Sequence, residues 1–120
     1  MYKALLVASG GALGSVLRWY VGLLVARPDN LFPYHTLVVN VVGSFLMGLG
    51  LAWLLKSQSS DVLRLFLLTG FCGGFTTFSA FSMESLQLIN SQQYSSFGLY
   101  ILASIVLGGL AVFLGYNLLS

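Results

Sequence analysis

The stretch that decides the fold runs Thr69-Gly70-Phe71-Cys72-Gly73-Gly74-Phe75-Thr76-Thr77-Phe78-Ser79-Ala80-Phe81-Ser82. It sits inside a long apolar segment, where adjacent glycines followed by two β-branched threonines predict a helix interrupted at mid-depth. An interruption frees backbone carbonyls, which a membrane interior tolerates only where they line a cavity or hold an ion. Phe75, Phe78 and Phe81 recur at every third position and are expected on one stripe. Such a stripe is ordinarily core or lipid-facing. The alternative uses the positive edges of the rings, which can face an anion that has lost its water.

Composition identifies the solvent around that stretch. Of 120 residues, 58% are hydrophobic and 7% charged, against about 25% charged in an ordinary soluble domain. Eight charges, at Lys3, Arg18, Arg27, Asp29, Lys56, Asp61, Arg64 and Glu84, cannot wet the surface of such a chain. A soluble enzyme, a disordered tail and a disulfide-stapled module are poor readings. The net charge of +2 is scattered and makes no stripe for nucleic acid. Cys72 is the single cysteine, so neither an internal disulfide nor a metal cluster is expected.

The charges divide the chain into four apolar stretches, residues 4–26, 36–55, 63–83 and 97–119. Each has roughly the 20 residues that a helix needs to cross the hydrocarbon layer. Alternation is absent, and a lone open sheet cannot satisfy its backbone in lipid, so the spans are expected to be helices. Breakers fill the connectors: Arg27-Pro28-Asp29-Asn30 and Pro33 in the first, Lys56-Ser57-Gln58-Ser59-Ser60-Asp61 in the second. The third, residues 84–96, is polar, and its start is compatible with a continued third helix. The expected architecture is an all-α membrane protein: one domain over residues 1–120, four transmembrane helices with a break in the third, and both termini on one side. A cleaved leader is not expected, because the apolar run continues past Ala8-Ser9-Gly10. There is no P-loop, zinc spacing or nucleophile–histidine pair, so the chain does not read as an enzyme. His35 reads as an ordinary interfacial residue.

Orientation is weakly specified. Lys3, Lys56 and Arg64 fall on the terminal side, against Arg27, alone or with Arg18, on the other. The positive-inside rule needs a larger bias. Four helices are also a thin wall for an aqueous route. Together these features suggest a dimer whose copies insert in opposite directions.

Polar residues at membrane depth cost a few kcal/mol, about 2.5–3.5 for a charge on insertion scales, and are functional candidates by default. They are Arg18; Asn40 and Ser44; Thr69, Thr76, Thr77, Ser79 and Ser82; Tyr100 and Ser104. The middle of no span carries Asp or Glu, which disfavours proton or cation handling and leaves donors suited to an anion. Gly10 and Gly14 form a small-xxx-small face that reads first as helix packing. Arg18, four residues further on, reads either as an interfacial anchor or as the lining of an electropositive mouth. Asn40 and Ser44 share a face, where the amide makes an interhelical hydrogen bond or offers its donors to a dehydrated anion.

These residues resemble a known family, the small bacterial fluoride channels also called CrcB or Fluc proteins. The resemblance rests on Gly10-Gly11-x-x-Gly14-x-x-x-Arg18, on Thr36-Leu37-x-x-Asn40-x-x-Gly43-Ser44-Phe45 and on Gly70 to Phe81, and covers essentially the whole chain. It implies passive fluoride export across the bacterial inner membrane by an antiparallel dimer surrounded by lipid, with two pores and a structural sodium ion (Na+) at the centre. By resemblance, backbone carbonyls of Gly73 and Thr76 hold the sodium, and Phe78 and Phe81 line the pores with Ser79. Asn40, Tyr100, Ser104 and the vestibule residue Arg18 complete the expected fluoride path. Two departures stand out. The usual Phe-Ser-Thr-Phe run reads Phe78-Ser79-Ala80-Phe81, and after Ser104 the fourth span has Gly108, Gly109 and Val112 before Tyr116. The second departure leaves open a homologous partner chain in place of a second copy. The rival functions are a small four-helix proton-coupled multidrug exporter, which would need a carboxylate where the first span has Arg18, and a non-transporting subunit of a larger membrane complex.

Overall fold

The computed structural model describes residues 1–25, 27 and 31–120, and over these the chain is helical with no strand. Ala26, the expected end of the first span, and the expected turn residues Pro28, Asp29 and Asn30 lie outside the described residues. Four segments are long and apolar enough to cross a membrane: Tyr2–Val25, Tyr34–Ser57, Asp61–Asn90 and Tyr94–Leu119. The first, second and fourth are the uninterrupted helices α1 (Tyr2–Val25), α2 (Tyr34–Ser57) and α6 (Tyr94–Leu119). Free of internal proline, each closes its own backbone hydrogen bonds, which is the condition for residence in hydrocarbon.

The third span is composite. It opens with α3 (Asp61–Leu63), widens into a π-helical segment (Arg64–Cys72) and tightens again in α4 (Gly73–Phe75). Thr76 (φ −87°, ψ 160°) and Thr77 (φ −151°, ψ 122°) are extended, and α5 (Phe78–Asn90) resumes the helix. The interruption is present, but it falls on the threonines and not on the glycine pair. Gly73 is helical (φ −62°, ψ −38°). β-branched residues favour extended backbone, whereas the glycines of this span serve close packing. A Cβ on Gly74 would stand 2.5 Å from the Gly11 carbonyl oxygen, and one on Gly14 would fall on the Phe71 carbonyl oxygen. Main chain therefore touches main chain between α1 and residues 64–75. The second helix pair repeats the device. A Cβ on Gly48 of α2 would strike the Val112 carbonyl of α6, and one on Gly115 the Phe45 carbonyl of α2. Small residues that let backbones approach are how membrane helices associate without a hydrophobic driving force.

The extended pair also splits the aromatic stripe. Phe75 lies before the break, buried and stacked on Phe71 with centroids 6.0 Å apart. Phe78 and Phe81 lie after it, 5.7 Å apart. A spacing of three keeps residues on one face only while the helix is continuous. The third connector is shorter than the polar sequence suggested. α5 runs to Asn90 and carries Glu84 as a helical residue. Its end is a left-handed cap without glycine: Gln92 has φ 59°, its N–H donates to the Ile89 carbonyl and that of Gln93 to the Leu88 carbonyl, each at 2.9 Å. This is the 6→1 and 5→2 pattern that usually recruits glycine. The chain measures 48 × 30 × 21 Å. At about 10–12 Å per helix, the thin dimension is two helices deep.

Candidate functional site

Everything distinctive about the site follows from how the two threonines are tied down. Asn40 on α2 faces the break and grips Thr77 at both backbone groups. Its Oδ1 accepts the Thr77 N–H at 2.9 Å, and its Nδ2 donates to the Thr77 carbonyl at 3.1 Å. Thr76 Oγ1 donates back to the Cys72 carbonyl (3.0 Å), and Thr77 Oγ1 caps α5 by accepting the Ala80 N–H (3.2 Å). Gly43, one turn from Asn40, is bare because Thr76 Cγ2 occupies the place its Cβ would take. Two helical donors are thereby diverted. In an unbroken helix the Thr77 N–H would serve the Gly73 carbonyl and the Ala80 N–H that of Thr76. Here those donors go to the Asn40 and Thr77 side chains.

Beside the break lies an open cavity of about 370 Å³ lined by Asn40, Ser44, Thr76, Phe78, Phe81 and Ser104, among others. Phe78 is 79% exposed. The Phe81 ring packs 5.0 Å from that of Tyr100 on α6. Tyr100 is wholly buried, and its hydroxyl has no hydrogen-bond partner among the described residues. Asn40 spends one Nδ2 hydrogen on Thr77, and an amide has two. The site thus combines an uncommitted amide hydrogen, hydroxyls and ring edges, with no carboxylate in its lining. It can replace water around a small anion and offers nothing to attack a bond.

A family model described as CrcB-like protein, Camphor Resistance (CrcB), matches residues 5–116. The chain belongs to the CrcB family. Among its relatives, a Fluoride-specific ion channel FluC of Rhizobium meliloti is 49% identical over 121 residues, 99% of this chain and 97% of the relative. Proteins of the same name from Azobacteroides pseudotrichonymphae and Thermus thermophilus are each 48% identical, covering 97% and 98% of this chain and 94% and 95% of their own. These relatives are named as channels and not as enzymes. With four membrane-crossing helices, this CrcB member is a multi-pass protein of the bacterial cell membrane.

The remaining candidates of this CrcB chain are dispersed. Ser79 is exposed and its hydroxyl pairs with Thr77 Oγ1 at 3.3 Å, outside the cavity lining. Arg18 lines a separate hollow of about 430 Å³ with Ser15, His35, Thr36 and Thr77. Thr77 borders both cavities, so the break is the partition between them. Sequence reasoning missed one polar pair. Buried Thr36 donates to Glu84 Oε1 at 2.6 Å, and His35 Nε2 lies 3.3 Å from the same hydroxyl. The residues are 48 positions apart, so no local spacing announces them. The only sequence signal was an isolated acid at the end of an apolar span.

Proposed function

We propose that the chain is a fluoride-selective channel that lets the ion leave the bacterial cytoplasm down its gradient, limiting fluoride toxicity, and that it works as an inverted dimer. The observation that carries this reading is the cavity at the broken third span of a CrcB protein, where Asn40, Phe78, Phe81 and Ser104 converge without a carboxylate. Fluoride is small and tightly hydrated, so a path for it must substitute closely spaced donors and positive ring edges for water. A narrow, fixed path then turns away larger chloride. Tyr100 packs behind the Phe81 ring and sets its position, Ser79 follows Phe78 outside the lining, and Arg18, in the hollow across the break, gives an electropositive approach. The dimer is supported by thickness and exposure. A chain 21 Å deep cannot wrap a pore, and an outward-facing Phe78 with an open cavity suits closure by a second chain. The near-even balance of charge between the two ends allows insertion in either direction.

A sodium ion at the break belongs to the same proposal. The Gly73 and Thr76 carbonyls, relieved of their helical donors, are the uncharged oxygen ligands a hard alkali ion takes. When bound there, sodium would supply a fixed positive charge that lowers the cost of bringing an anion into a low dielectric.

The test is efflux from liposomes loaded with the purified protein, fluoride against chloride, with no pH gradient. Rapid electrogenic fluoride loss with negligible chloride movement is expected. A fluoride rate no higher than that of empty liposomes rejects the reading. A C-terminal topology reporter should appear on both sides of the membrane, and its confinement to one side removes the inverted arrangement. Replacing sodium throughout by a large organic cation should lower the melting temperature of the dimer, and an unchanged melt removes the ion.

A further inference from the structure

We infer that Ser44 is a pore residue that hands its hydroxyl to the permeating fluoride, extending the donor line of Asn40 one helical turn beyond the break, and that Gly108 keeps the space in front of it open. The inference rests on the fluoride reading above and adds a residue to that path. Ser44 follows Asn40 by four positions on α2 and lines the same cavity as Phe78, Phe81 and Ser104. Its hydroxyl makes no hydrogen bond among the described residues. The contrast lies in the third span: Thr76, Ser82 and Ser85 each donate to the carbonyl four positions earlier, at 2.7–3.0 Å. A helical hydroxyl in an apolar medium normally satisfies itself that way. One that turns into a cavity instead, where lipid offers no acceptor, is arranged for a transient partner.

The opposite wall explains why the hydroxyl can be reached. A Cβ on Gly108 of α6 would come 3.8 Å from Ser44 Oγ, so any larger side chain at position 108 would fill the space in front of it. No hydroxyl occurs on α6 between Ser104 and Tyr116, and the other side chains that α2 and α6 bring to the lining besides Asn40, Ser44 and Ser104 are the apolar Met47, Ile105 and Val112. Ser44 and Ser104 are therefore the hydroxyls that α2 and α6 bring to this cavity. Its partner has to be an acceptor, since the group has an O–H to give. A bare halide fits that requirement, and a hydrated cation does not.

The test is fluoride efflux from liposomes for wild type, Ser44→Ala, Ser44→Thr and the double variant Ser44→Ala with Gly108→Ser. Dimer elution and melting are followed in parallel. Ser44→Ala is expected to slow fluoride efflux about tenfold or more with an unaltered melt. Ser44→Thr, which keeps the hydroxyl, and Gly108→Ser, which hangs one into the same space from α6, are each expected to restore much of the rate. Full-rate efflux through Ser44→Ala overturns the inference. So does a slow Ser44→Ala variant that neither substitution rescues, because packing and not the hydroxyl would then be what was lost. A wild type that moves no fluoride instead sinks the broader reading.

Discussion

Replacing Asn40 by alanine removes both hydrogen bonds that fasten Thr77 to α2. Interhelical hydrogen bonds in membranes contribute roughly 0.6–2 kcal/mol each. Losing the pair should thus favour an unfastened break by about 1–4 kcal/mol, or roughly 5-fold to several hundred-fold in equilibrium population. Hydrogen exchange followed by mass spectrometry on a peptide spanning residues 73–81 reads this directly, because the Thr77 amide loses its acceptor and should exchange faster by that factor. Asn40→Asp separates the two bonds. The carboxylate still accepts the Thr77 N–H, so the amide should stay protected, but at neutral pH it cannot donate to the Thr77 carbonyl. It also sets a negative charge in the cavity beside the break. Fluoride efflux should fall in both variants, while exchange accelerates in Asn40→Ala only. A Thr77 amide that exchanges at the wild-type rate in Asn40→Ala would refute the reasoning that this side chain holds the break.

Phe81→Ile removes a ring that lies 5.0 Å from Tyr100 and 5.7 Å from Phe78; fluoride efflux should slow at least about tenfold with an unchanged elution on size exclusion, an aromatic pair being worth about 0.5–1.5 kcal/mol. Gly14→Leu forces a side chain onto the Phe71 carbonyl and should abolish a monodisperse product, whereas Gly109→Ala meets nothing within 4 Å and should melt like wild type. Gln92→Gly relieves a left-handed φ of 59° and should stabilise the α5–α6 turn by about 1 kcal/mol, seen as a higher melting temperature.

Composition and the placement of eight charges made the four crossings legible, because hydrocarbon thickness fixes the length of any helix that spans it. The interruption of the third span was legible too, but its residue was not. Both glycines and threonines loosen a helix, and the choice between them was made by α1, whose Gly11 needs the main chain of Gly74 against it. Helix packing was also the first reading of the Gly10 and Gly14 face, and those glycines lie against the main chain of Phe66 and Phe71. Asn40 makes the interhelical hydrogen bonds of its first reading, and it also borders the cavity with one amide hydrogen to spare. The grouping of Phe75 with Phe78 and Phe81 failed because a period of three was applied across two extended residues. Glu84 and Thr36 stayed hidden because their pairing depends on how α5 lies against α2, which no spacing along the chain encodes.

Where Gly10, Gly14, Gly48, Gly70, Gly74 and Gly115 meet the neighbouring helix, the touching surfaces are peptide units and not side chains. A peptide unit has no alternative rotamer into which it can swing when a neighbour presses on it. Walls joined in that way widen only by moving whole helices, and ordinary thermal jostling of side chains leaves their separation alone. Discrimination between ions of different radius should accordingly hold nearly constant as the protein is warmed, up to the temperature at which the helices unpack.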